Sequence, residues 1–93
     1  MDRRLLGELK KCQSSPFIDT IECTNIRKWK CTLRGGYEFS MSVEYLSYPF
    51  HAPQLFNVPP ELECSIRDNW SPAYTMWGII TSVFHETKSY ELI

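Results

Sequence analysis

Ninety-three residues are enough for one small domain and not for two independent cores. A chain that is 43% hydrophobic and 14% aromatic is too apolar to be disordered. A formal net charge of −1 argues against a nucleic-acid binder whose affinity rests on neutralising phosphates.

No apolar run approaches the ~20 residues needed to span a bilayer. Met-Asp-Arg-Arg leads into an amphipathic pattern and not into a signal-peptide block, so a cytosolic or nuclear protein is expected, with no membrane partner.

Residues 2 to 13 predict a helix, with Leu5, Leu6, Leu9 and Cys12 on one face and Arg3, Arg4, Lys10 and Lys11 mostly off it. Ser14-Ser15-Pro16 ends it, because proline and its predecessor disfavour further helix. Phe17 to Cys23 reads as a weakly patterned strand, followed by a Thr24-Asn25 turn. In a second strand, Ile26 to Arg34, Trp29, Cys31 and Leu33 alternate with Lys28, Lys30, Thr32 and Arg34. That alternation explains the basic run better than nucleic-acid binding does.

Gly35-Gly36 supplies positive φ angles for a two-residue hairpin. The third strand has a clean period of two, with Tyr37, Phe39, Met41, Val43 and Tyr45 on its apolar side. The prolines of Tyr48-Pro49-Phe50-His51-Ala52-Pro53 make a rigid turn or edge, and Gln54-Leu55-Phe56 a short fourth strand. Val58 to Asn69 shows no convincing period.

Ser71 as N-cap and Pro72 at the first helical position mark a second helix running to Phe84. Its buried stripe is Met76, Ile79, Ile80 and Val83, widened by Ala73, Trp77 and Phe84, and a polar tail follows from His85. Helix, antiparallel meander, proline-rich crossing and helix together predict an α+β layer, with the helices covering one sheet face.

The cysteines at 12, 23, 31 and 64 form no Cys-x-x-Cys pair, and only His51 and His85 stand ready to join them, so no zinc signature results. Cys23 and Cys31 are placed to face each other across adjacent strands, although a disulfide is not expected in a reducing compartment. Three of the four are most simply core residues. With no Gly-rich phosphate loop, nucleophile elbow or placeable carboxylate pair, a hydrolase or oxidoreductase has no support, and no cofactor or metal is expected.

Read in this order, the chain resembles the ubiquitin-conjugating enzyme family. The matching residues are Arg4-Leu5-Leu6-Gly7-Glu8-Leu9 on the first helix, Trp29, Tyr48-Pro49-Phe50-His51-Ala52-Pro53, and Trp70-Ser71-Pro72-Ala73-Tyr74-Thr75. The first motif is generic, whereas Tyr-Pro-Phe-x-x-Pro followed by Trp-Ser-Pro-Ala is fairly specific. The resemblance covers the chain to about Phe84, and the family's C-terminal helices have no counterpart. Three departures concern the walls of the family's active site. The long loop between strands two and three shrinks to Arg34-Gly35-Gly36, the His-Pro-Asn motif is missing, and the stretch from Phe56 to Trp70 is short.

The resemblance implies a ubiquitin-conjugating-enzyme-like core whose partners are ubiquitin-pathway proteins: a ligase, an activating enzyme or another conjugating enzyme. Phe50, Pro72 and Ala73 match the family's ligase-docking positions. Arg3, Arg4, Lys10 and Lys11 resemble the face that meets the activating enzyme. Bland readings stand beside these: packing for Phe50, helix initiation for Pro72, and a solvated face for the basic helix.

Two functional readings follow. One is a non-catalytic variant acting as scaffold or cofactor; the other is a compact active enzyme forming a thioester on Cys64, the one cysteine between the two specific motifs. Against catalysis, Glu61, Glu63 and Asp68 crowd Cys64 with negative charge, countered locally by Arg67. Asn57 is a candidate stand-in for the missing oxyanion asparagine, and without such donors a rate falls by roughly 10²–10³. The non-catalytic reading is therefore preferred.

Overall fold

The computed structural model describes residues 2–43, 48 and 50–91. The elements run α1 (Asp2–Gln13), β1 (Ile18–Asn25), β2 (Lys28–Leu33), β3 (Glu38–Ser42), β4 (Gln54–Phe56), α2 (Pro60–Asp68) and α3 (Met76–Glu91). The fold is a small α+β unit with three helices and a four-stranded antiparallel sheet in the order β1-β2-β3-β4. Glu44, Tyr45 and Pro49 lie outside the described residues.

The sheet is two-faced, as period-two patterning requires. Trp29, Cys31, Leu33, Phe39, Met41, Val43 and Leu55 are buried on the inner face. Lys28 and Lys30 are exposed on the outer one, and Lys30 stands in register with Glu22 on β1 and Ser40 on β3. The core is completed by Leu5 and Cys12 from α1 and by Met76, Ile79, Ile80 and Val83 from α3, all essentially inaccessible to solvent. The Trp29 ring is buried with its indole N–H donating to Ile26 O at 2.7 Å, which satisfies its one polar atom.

Most elements follow the sequence reading, and the exceptions are physical. On α1, Leu5, Leu9 and Cys12 make the inward stripe, whereas Leu6 is half exposed because it sits a quarter turn away. β1 continues through Thr24 and Asn25, so the turn falls on Ile26-Arg27, where the Asn25 side chain accepts from the Arg27 N–H at 3.0 Å. Cys31 stands opposite Ile21 and not opposite Cys23. Arg34 joins the glycines in the β2–β3 turn, which is closed by the Leu33 N–H on Tyr37 O at 2.8 Å; Gly35 and Gly36 take the positive φ values of 104° and 96°.

Two larger differences concern the second half. Residues 58–69, which show no period, hold α2, begun by Pro60 with Glu61 and Glu63 in its first turn and Arg67 in its last. Its inward contribution is small, buried Ile66 and half-buried Leu62 four residues earlier, too little to write a stripe. The last helix starts at Met76 and not at Pro72, and it runs to Glu91, beyond Phe84. Its cap is Thr75, whose hydroxyl accepts from the Gly78 N–H at 3.4 Å. Ser71-Pro72-Ala73 is an exposed turn ahead of the helix, so Ser71 is no cap and Ala73 is not part of the buried stripe.

Candidate functional site

The two specific motifs meet through α1. Glu8 is the hub: its carboxylate accepts the Tyr48 hydroxyl, the Met76 N–H at 2.8 Å and Arg4 Nε at 3.1 Å. The Met76 contact sets negative charge against the N-terminus of α3, where unpaired N–H groups favour it. Arg4 Nη2 continues the chain of contacts, donating to Pro72 O at 2.7 Å and Tyr74 O at 3.4 Å. The Arg4 guanidinium also lies 5.6 Å from the Tyr48 ring centre.

Arg4 and Tyr48 both hold their protons more tightly than usual. Burial alone would lower the Arg4 value, but the hydrogen bond to Glu8 and the charges of Tyr48 and Glu8 leave it raised. The Tyr48 phenol is pushed up, first by burial and then by its bond to Glu8.

Around this hinge lie two depressions. The first is a groove of about 410 Å³ between the residue 50–55 segment and α2, lined by Phe50, Pro53, Leu55, Ile66, Arg67 and Trp70 among others. Phe50 forms its rim and is 71% exposed, the most exposed of the large apolar side chains named above. Trp70 is half-buried, with its ring centre 5.8 Å from that of Tyr48 and 5.0 Å from that of Tyr74. The second is a shallower depression of about 470 Å³ bounded by Arg4, Gly7, Glu8, Lys11, Pro72, Ala73 and Thr75. Phe50 and the Pro72-Ala73 pair thus border different depressions. Of the four basic α1 residues expected to face a partner, Arg4 and Lys11 border the second, while Arg3 and Lys10 are exposed outside it.

Cys64 projects from α2 away from the Leu62–Ile66 side and is exposed. Arg67 Nη2 stands 3.4 Å from its sulfur, one helical turn on. Asn57, considered as an oxyanion donor, has positive φ (62°) and holds the β3–β4 junction: its amide donates to Glu38 O at 2.6 Å and its carbonyl accepts the Tyr37 hydroxyl. Cys12 and Cys31 are core residues whose thiols burial pushes up to about 12. Cys23 is half-buried, its thiol raised by burial and bonded to Asn25 O at 3.3 Å.

Among the described residues no group of three or more His, Cys, Asp or Glu side chains is placed to hold a metal ion, and no helix is long and apolar enough to cross a membrane. The hub residue Glu8 and the bordering residues Gly7 and Thr75 were not singled out as a site by motif reading alone. Compared with protein-family models, with curated proteins and with solved structures, the chain matches none.

Proposed function

We propose that this chain is a non-catalytic protein-binding domain built like the ubiquitin-conjugating enzymes, a variant that serves the ubiquitin pathway as a scaffold or cofactor. The observation that carries the reading is Phe50. A phenylalanine that is 71% exposed on a proline-flanked turn, at the rim of a groove walled by Trp70, has the form of a binding hot spot. Burying an aromatic ring on a partner contributes about 1.5–3 kcal/mol, and a turn stiffened by proline gives up little entropy in doing so. The element order supports the family reading, since a helix, a four-stranded meander and a helix after Trp-Ser-Pro-Ala follow in the expected sequence.

The setting of Cys64 supports the absence of catalysis. A thioester-forming cysteine needs donors arranged for the developing oxyanion, and the Asn57 side-chain amide is committed to Glu38 O of its own junction. The second reading, a compact active enzyme, is favoured by one observation, an exposed sulfur with a guanidinium 3.4 Å away.

A charging assay with activating enzyme, ATP and modifier, resolved with and without reducing agent, separates the two. The expected outcome is no thioester, together with partner binding that Phe50→Ala weakens. A reducible adduct on the wild-type protein that Cys64→Ser abolishes overturns the non-catalytic reading. Partner binding untouched by Phe50→Ala removes the docking role.

A further inference from the structure

The outer face of the sheet is a surface apart from the two depressions around Glu8, and the strand register writes two rows across it. Glu22, Lys30, Ser40 and Phe56 stand side by side from β1 to β4. Lys28, Ser42 and Gln54 make the next row, from β2 to β4. Ser40 and Ser42 are short side chains between longer ones, so the face is hollow, and a trough of about 540 Å³ runs over both rows. Trp29 and Met41, whose side chains are buried in the core, contribute its floor. That volume suits a small molecule.

The chemistry of the trough is graded across the strands. Lys28 and Lys30 are exposed, and among the described residues neither side chain makes a hydrogen bond or an ion pair. Ser42 and Ser40 stand beside them in register on β3. Two ammonium groups and two hydroxyls together make a donor set for a phosphate. Phe56, 50% exposed, lies two strands from Lys30, roughly 10 Å at a strand spacing of about 4.8 Å. Acids limit the charge this face accepts. Glu22 borders the trough beside Lys30, and Glu38 is exposed two residues before Ser40. Two cations against the one carboxylate of the trough suit a single phosphate and not a chain of them.

We infer that the outer sheet face binds a nucleoside monophosphate, its phosphate held by Lys28, Lys30 and the serine hydroxyls and its base stacked on Phe56. The phosphate-to-base reach of one nucleotide matches the interval from Lys30 to Phe56, with the sugar over Ser40. A bare anion would leave the exposed ring unused, and an apolar ligand would leave two ammonium groups unpaired. The inference goes beyond the protein-binding reading and does not rest on it, since neither Phe50 nor Trp70 lines this trough.

The test is an amide-shift titration of the full chain with adenosine monophosphate, with inorganic phosphate, adenosine and adenosine triphosphate as comparisons, at low and high salt. Adenosine monophosphate is expected to move the amides of Lys30, Ser40, Ser42 and Phe56, and to lose affinity as salt rises. Inorganic phosphate should move the first three and bind about tenfold more weakly, the contribution of one base stacked on an aromatic ring. Phe56→Ala should weaken the nucleotide about tenfold and leave phosphate unchanged. Lys30→Gln should weaken both by up to about fivefold, the reach of one exposed charge pair. Glu22→Gln should tighten both.

Several results overturn the inference. Phosphate binding as tightly as the nucleotide makes the trough an anion site only, and adenosine triphosphate binding tenfold more tightly makes it a site for charge alone. An absence of shifts, shifts confined to the basic residues of α1, or a Phe56→Ala variant that binds the nucleotide like wild type each sink it. So does concentration-dependent broadening of the same four amides without nucleotide, which makes a second copy of this chain the occupant. Phe50→Ala should leave this titration unchanged, so failure here and failure of the Phe50 reading are seen separately.

Discussion

Glu8 and Tyr48 are joined through both carboxylate oxygens, the phenol hydroxyl lying 2.8 Å from Oε1 and 2.7 Å from Oε2. Forty residues apart in sequence, they fix the start of the proline-rich turn to the first helix, while the same carboxylate fixes the start of α3. Hydrogen bonds to a charged acceptor contribute about 1.5–3 kcal/mol each. Tyr48→Phe should therefore cost about 2 kcal/mol in a denaturant melt. Glu8→Ala should cost about 3 kcal/mol or more, because it strands a buried hydroxyl and a helix N–H together. The double variant should fall short of the sum by about 0.5–3 kcal/mol. Strict additivity would mean that the two residues do not share this bond in solution.

The cap of α3 is testable at two positions. Thr75→Ala should cost about 1 kcal/mol, the usual value of an N-cap. Ser71→Ala should stay within about 0.5 kcal/mol, since Ser71 is an exposed turn residue. The reverse ranking in thermal melts would move the helix start back to Pro72.

Thiol labelling should sort the four cysteines by burial. An aromatic disulfide reagent at neutral pH should modify Cys64 first and Cys23 more slowly, and should reach Cys12 and Cys31 only after denaturant is added. Fast labelling of Cys31 in the native protein would contradict its place in the core.

Cys12 and Cys31 also set an alkaline limit. Burial raises both thiols from an ordinary value near 9.0 to about 12, so above pH 9 the unfolded chain gives up protons that the folded one retains. The folded state binds more protons, so the stability linked to these thiols is fully present below pH 9 and is lost as pH climbs towards 12. Tyr48, raised by burial, adds to the same trend. Chemical melts from pH 7 to 11 should show falling stability, and a Cys31→Ala variant should show a shallower fall from its own lower starting point. A flat profile through pH 11 would mean that these thiols ionise in the folded protein.

Much of the sheet and its covering was legible because period-two and helical stripes record burial directly. Trp29, Phe39, Met41, Val43, Ile79, Ile80 and Val83 are buried as their spacing requires. α2 was not legible, since a helix that buries Ile66 and half-buries Leu62 leaves almost no stripe; its signals were chemical ones, Pro60 at the start and charges matched to the helix ends. The start of α3 misleads because Ser71-Pro72 is good helix-opening chemistry locally. Arg4 instead takes the Pro72 and Tyr74 carbonyls, a contact made across 68 and 70 residues that no local window contains. Phe50 was legible as a candidate from its motif, but not that it and Pro72-Ala73 border different depressions.

The ends of the sheet carry a consequence for how the molecule behaves in a crowd. An open sheet offers two rows of unpaired backbone groups on which a neighbouring chain can build, the route by which folded proteins polymerise. Here one margin, β4, is three residues long. The other, β1, breaks register twice, between Ile18 and Thr20 and between Glu22 and Asn25, and a strand that shifts in this way makes a poor template for a straight partner. Exposed Asp19 and Glu22 place like charges along the same margin, so two copies brought edge to edge repel there. Both margins are thus poor templates for a further strand, and the sheet discourages edge-to-edge extension without a third layer to cover it.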